Sequence, residues 1–141
     1  MLENIHNCIT YRPLAGEIDP FTIPYLQDHV FEDIYRLPSG TDTSPVEIAG
    51  EAMNQFPKES VCILIPGTRF DSAGTRHGRG NGWFDRFLAE VPESWMRIGV
   101  TDAEHFSSDR IVRKPWDQPM DWVICKQESS WKIIKTHARS V

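Results

Sequence analysis

The sequence predicts an α/β fold, a largely parallel central sheet flanked by helices in one layered domain spanning residues 1–141. Three observations lead there. Short apolar runs alternate with segments of helical period, the pattern of a mostly parallel sheet. Val61-Cys62-Ile63-Leu64-Ile65 is continuously apolar, as expected for a strand buried on both faces. A loop rich in glycine and arginine follows that strand and runs into an amphipathic helix, and parallel sheets bind ligands at the carboxyl ends of their strands.

The elements follow in order. Asn7 to Arg12 reads as a short strand closed by Pro13 and Gly16. Phe21 to Phe31 carries Ile23, Leu26, Val30 and Phe31 at helical spacing, with Pro24 suited only to an early turn. Asp33 to Leu37 alternates as a strand and ends at Pro38, and Ser39 to Thr43 is a polar loop. Ser44 is a helix cap, Pro45 suits the first turn, and Glu47 completes a capping box. That helix runs to about Gln55 and stops before Pro57. After the Val61–Ile65 strand, Phe84, Phe87, Leu88 and Val91 recur at helical spacing. Met96 to Val100, Trp122 to Cys125 and Trp131 to Ile134 are further strands. Trp116, Trp122 and Trp131 are expected as aromatic bulk near the sheet, in the core rather than in a cofactor box.

With 141 residues the chain suits one domain with a sizeable core. A net charge of −5 gives no basic field for nucleic acid or an anionic membrane. Cys8, Cys62 and Cys125 lack metal spacing, and Cys62 and Cys125 read as buried thiols of a reducing compartment. The amino terminus shows neither a basic n-region nor an apolar h-region, and no apolar run approaches spanning length. The expected location is the cytoplasm.

The loop within Pro66 to Leu88 carries the chemistry. Gly78, Gly80 and Gly82 let backbone N–H groups approach an anion, and the following helix start adds partial positive charge. Arg76, Arg79 and Arg86 add forked donors suited to phosphate oxygens. His77 lies inside the same loop, where it can meet phosphate or base. The loop is not a P-loop, because no Gly-Lys-Ser/Thr ending exists, and the arginines and Asp85 do not fit a dinucleotide fingerprint. The competing reading is a mobile glycine-rich surface loop. His6, His29, His105 and His137 are expected at the surface, and the histidines form no zinc-type set.

Pro66-Gly67-Thr68-Arg69-Phe70-Asp71, followed by Arg76-His77-Gly78-Arg79-Gly80-Asn81-Gly82-Trp83-Phe84-Asp85, resembles the signature of the 5-formyltetrahydrofolate cyclo-ligase (methenyltetrahydrofolate synthetase) family. That family uses ATP and Mg²⁺ to convert 5-formyltetrahydrofolate to 5,10-methenyltetrahydrofolate. The resemblance implies ATP binding by Arg76 through Phe84, with Arg76, Arg79 and Phe84 at the reacting centre. It implies Mg²⁺ at Asp85 and at Asp117 of Trp116-Asp117-Gln118-Pro119-Met120-Asp121-Trp122-Val123. By residue chemistry alone, Asp85 equally complements a helix dipole, and Asp117 is equally a turn former. Asp121 is expected to open the strand that follows it. Glu17, in Ile9 to Asp19, matches a folate-contacting glutamate, against the reading of a solvated loop residue.

The resemblance is good from Val61 to Cys125 and departs from the family in three ways. The usual amino-terminal basic helix that reaches ATP is missing. The stretch between Leu37 and Val61 is short. The aromatic pair is Trp83-Phe84 where two tyrosines are usual, so no phenol hydroxyl is present there. The leading expectation is a compact ATP-dependent cyclo-ligase with a reduced folate as substrate, whose pocket a homo-oligomer can complete. The alternatives are a non-catalytic relative that binds a nucleotide or phosphate ligand, and an enzyme of another phosphorylated small molecule.

Overall fold

The computed structural model describes residues 1–38 and 42–137. Three of the five residues expected to form the 39–43 loop lie outside that description. A six-stranded sheet forms the centre, in the order β2-β1-β3-β6-β7-β8. Its strands are β1 Asn7–Thr10, β2 Asp33–Arg36, β3 Val61–Ile65, β6 Met96–Asp102, β7 Trp122–Gln127 and β8 Ser130–Lys135. β2, β1, β3, β6 and β7 run parallel, with Cys8 opposite Cys62 and Ile63 opposite Arg97. β8 is antiparallel, because only a tight turn separates it from β7 and a parallel return needs a long crossover.

β3 shows why a continuous apolar run was needed. Val61, Ile63 and Ile65 enter one core, and Cys62 and Leu64 enter the other. The first core is covered by α2 Pro45–Gln55 and α3 Trp83–Glu90. The second is covered by the amino-terminal residues, a 3-10 turn at Pro20–Thr22 and α1 Pro24–Asp28. All three cysteines are buried thiols, Cys8 included.

Ser44 accepts the Glu47 N–H at 3.3 Å and starts α2 as the sequence predicts. The single helix expected over 21–31 is instead the turn plus the five-residue α1. Asp19 caps the turn, and Pro24, lacking an N–H, opens a new helix rather than continuing one. Val30 falls outside it, 85% exposed. Trp116 also departs from expectation at 62% exposure, while Trp122 and Trp131 are half-buried against the second core. Among the described residues, no helix is long and apolar enough to cross a membrane.

The order β2-β1-β3 reverses direction at β1, so the carboxyl ends of β1 and β3 flank a switch point where α/β sheets bind ligands. The loop after β1 contains Glu17. The loop after β3 opens the glycine-rich segment.

Candidate functional site

The segment after β3 is not one open loop. Arg69–Phe70 (β4) and Arg76–His77 (β5) pair as an antiparallel hairpin. Asp71 holds its turn: its buried carboxylate accepts Ala73 N–H at 3.0 Å and Thr75 N–H at 2.9 Å. The same side chain accepts Ile111 N–H at 2.9 Å and so ties in the 111–117 segment. The sequence reading assigned Asp71 no role, although Asp-Ser-Ala-Gly carries the composition of an Asx turn.

β5 places Arg76 under the glycine loop. Its guanidinium is buried, donates from Nε to the Pro66 carbonyl at 2.5 Å, and lies 5.1 Å from the Phe84 ring centroid. Burial pushes its pKa down to about 10, still charged at neutral pH. A Cβ on Gly78 would lie 2.8 Å from Arg76 Nη2, so a side chain there would displace the guanidinium. Gly80 and Gly82 have φ of 96° and 70°, which L side chains rarely adopt, and Gly82 caps α3. The aromatic pair divides its duties. Trp83 is buried, donating its indole N–H to Thr43 and stacking on Phe87 at 5.5 Å. Phe84 gives its face to Arg76.

The remaining predicted residues converge on both sides of Arg76. Arg79 Nε lies 3.5 Å from Glu17 Oε2, which joins the loops after β1 and β3. A cavity of about 160 Å³ there is lined by Tyr11, Leu37, Pro38, Trp83 and Phe84, with Arg12, Glu17, Arg76 and Arg79 as its charges. Tyr11 donates to the Ile18 carbonyl, and burial raises its pKa. A second cavity, of about 560 Å³, shares Arg76, Gly78, Asn81, Trp83 and Phe84 with the first. It adds His77, Gly80, Gly82, Asp85, Lys114, Trp116 and Asp117.

Asp85 sits half-buried in the first turn of α3 and accepts Gln118 N–H at 3.0 Å. Burial raises its carboxyl above the ordinary range, against the pull of that N–H and of Arg76, and Asp117 raises it further. Asp117 accepts Lys114 N–H at 2.8 Å through Oδ2. Each acid thus uses one oxygen within the protein. Two carboxylates on one cavity beside a phosphate-suited loop are a donor set that fits a hard divalent cation such as Mg²⁺. His77 bonds the Val112 carbonyl at 2.6 Å. Arg86 turns back to the carbonyls of Asn81 and Gly82, bracing the loop from outside the cavities.

Two features escaped the sequence reading. Arg97 is buried, donating to Gln118 Oε1 at 2.8 Å and Leu88 O at 2.9 Å, so it holds the turn that meets Asp85. A buried arginine inside a strand pattern carries no periodic signal. Asp121 accepts Arg97 N–H at 2.9 Å just before β7, as expected of a residue opening that strand. Asp102, Glu104 and His105 bring ligand atoms within 4.8 Å of one another, a metal-compatible grouping that spacing alone did not suggest. His105 is half-buried rather than a plain surface residue, and Asp102 holds its Nδ1 at 2.7 Å.

A parallel sheet carrying a glycine-rich loop and two acids at the carboxyl ends of its strands defines an α/β domain with a cleft at its topological switch point. The model of the 5-formyltetrahydrofolate cyclo-ligase family matches residues 35–126, and the chain belongs to that family. The matched span includes the glycine loop, Asp85 and Asp117 and excludes Glu17. The chain is 28% identical over 125 residues to the 5-formyltetrahydrofolate cyclo-ligase of Mycoplasma genitalium, covering 86% of this chain and 73% of that one. It is 28% identical over 116 residues to the Mycoplasma pneumoniae enzyme of the same name, covering 81% and 69%. Its fold resembles the Mycoplasma pneumoniae 5,10-methenyltetrahydrofolate synthetase structure, with a TM-score of 0.58 at 22% identity over 84% of this chain and 72% of that one. It also resembles the Aquifex aeolicus 5,10-methenyltetrahydrofolate synthetase structure, with a TM-score of 0.59 at 20% identity over 97% and 74%.

Proposed function

We propose that this chain is an ATP- and Mg²⁺-dependent cyclo-ligase that converts 5-formyltetrahydrofolate to 5,10-methenyltetrahydrofolate. The observation that carries this reading is the pair of cavities with a shared wall at Arg76, Gly78 and Phe84. The small one, with apolar walls and Glu17, suits the pterin end of a folate. The larger one suits a nucleotide triphosphate. Two substrates held either side of that wall meet at Arg76, with Arg79 on the folate side.

In the proposed reaction the formyl oxygen attacks the γ-phosphorus and ADP leaves. N10 then attacks the activated formyl carbon, and phosphate and the N10 proton depart as the methenyl bridge closes. Such chemistry needs positioning and charge neutralisation more than a covalent enzyme group. Arg76, Arg79 and the loop amides neutralise phosphate, and Glu17 anchors the folate. Asp85 and Asp117 would hold Mg²⁺, which would offset phosphate charge. Phe84 orients Arg76 through its ring face, so no phenol is required for that duty. A cytoplasmic location accords with the buried thiols.

The test is the appearance of methenyl absorbance when purified chain meets Mg-ATP and 5-formyltetrahydrofolate. Product is expected. If neither the wild type nor Phe84→Tyr forms any at saturating substrates, the chain is a nucleotide-binding relative without this activity. Rescue by Phe84→Tyr alone would locate the defect in the missing hydroxyl.

A further inference from the structure

We infer that Trp116, braced by Lys114, is the stacking wall for the purine base of the nucleotide. The inference rests on the nucleotide reading above and names the part of the site that the glycine loop does not explain. Trp116 is 62% exposed and so accessible to a ligand. It lines the same cavity as His77, Gly80 and Asp117. Val112, 71% exposed, adds a second apolar surface to that cavity from the same segment.

The wall is held in place. The Lys114 ammonium lies 5.4 Å from the Trp116 ring centroid, a cation–π contact that restrains the indole at the cavity wall. The segment is pinned at Ile111 by Asp71, at Val112 by His77 and at Lys114 by Asp117. A wall fixed in advance loses little entropy on binding. A ligand that needs a phosphate cradle, a cation site and a flat apolar surface in one cavity is a nucleotide. Base–indole stacking depends on a π-face rather than on hydrogen-bond readout.

The test compares wild type, Trp116→Ala, Trp116→Phe and Arg79→Ala by calorimetry. The probes are Mg-ATP, Mg-tripolyphosphate and 5-formyltetrahydrofolate. Trp116→Ala should raise the Mg-ATP Kd roughly tenfold or more, and Trp116→Phe by less than about threefold. Neither should alter affinity for tripolyphosphate or the folate. Mg-ATP should also quench tryptophan fluorescence in wild type, and the quench should shrink in Trp116→Phe, with Trp83 in the same cavity giving the remainder. If Trp116→Ala binds Mg-ATP as tightly as wild type while Arg79→Ala binds weakly, the stacking wall is wrong and the nucleotide reading stands. Equal losses for Mg-ATP and tripolyphosphate would overturn it too, because Trp116 would then shape the cradle. A loss confined to the folate would assign the indole to the other substrate. A wild-type chain that binds no Mg-ATP would remove both readings.

Discussion

Replacing Asp71 by Asn tests whether one buried carboxylate holds the glycine loop and the 111–117 segment together. The substitution keeps shape and removes charge. Asp71 is 1% exposed and accepts three backbone N–H groups, from Ala73, Thr75 and Ile111. Oδ1 serves two of them and Oδ2 the third, so asparagine can keep the turn bonds only by turning its amide N–H₂ toward Ile111 N–H. That pairing sets donor against donor and leaves a buried group unsatisfied. A charge-assisted bond contributes about 1.5–3 kcal/mol and an unsatisfied buried donor costs about 1–3 kcal/mol. Weakening of the two turn bonds adds to this, and the losses overlap, so the expected destabilisation is about 3–4 kcal/mol. Urea unfolding followed by far-ultraviolet circular dichroism measures it. With an m-value of about 2 kcal/mol/M, the midpoint should fall by roughly 1.5–2 M at unchanged m. A fall of less than about 0.5 M at the same m would refute the assignment of Asp71 as the clamp.

Asp85→Asn should weaken Mg-ATP binding in the presence of Mg²⁺ and not in EDTA. Burial raises the Asp85 carboxyl, so the folded chain holds that proton more tightly than the unfolded chain. That stabilisation is full below the ordinary carboxylate range and is lost as pH rises through the raised value. Metal-free Asp85→Asn should therefore melt above wild type at pH 7, with the gap closing in acid; a variant that melts lower at pH 7 would contradict the sign. Glu17→Gln should change the urea midpoint little, because its pair with a half-exposed Arg79 is worth under about 1 kcal/mol. It should weaken 5-formyltetrahydrofolate binding roughly tenfold by calorimetry, and unchanged affinity would remove Glu17 from the pocket. Gly99→Ala would set a Cβ 2.3 Å from Phe70 Cε1 across the sheet face. Thermal melting should report a loss of about 1–3 kcal/mol, and a neutral result would mean that Phe70 moves freely.

Local signals made most of the architecture legible. The five apolar residues of β3, the Ser44 cap and the helical spacing of Phe84, Phe87 and Leu88 each act within a few residues, and each element formed. The parallel order followed from their alternation. The glycine loop was legible because Gly80 and Gly82 need backbone angles that only glycine adopts readily. Pro24 was legible as a helix start but not as the end of what preceded it. The residues 21–31 were therefore read as one helix where Asp19 and Pro24 make two short pieces.

Partners distant in sequence decided the rest. Whether Arg76 is an open donor or a buried cation on Phe84 depends on Pro66 and Gly78 crossing it. Glu17 meets Arg79 because β1 and β3 lie side by side with their carboxyl ends together. Trp116 looks like core by residue type and stands exposed because His77, Asp71 and Asp117 hold its segment over the cavity. Residue type and spacing determine which strands, helices and turns this chain can make. Side-chain exposure, ion pairs and the raised Asp85 carboxyl arise only when the sheet brings separate loops within a few ångströms, where burial and Coulomb forces act over distances in space and not along the chain.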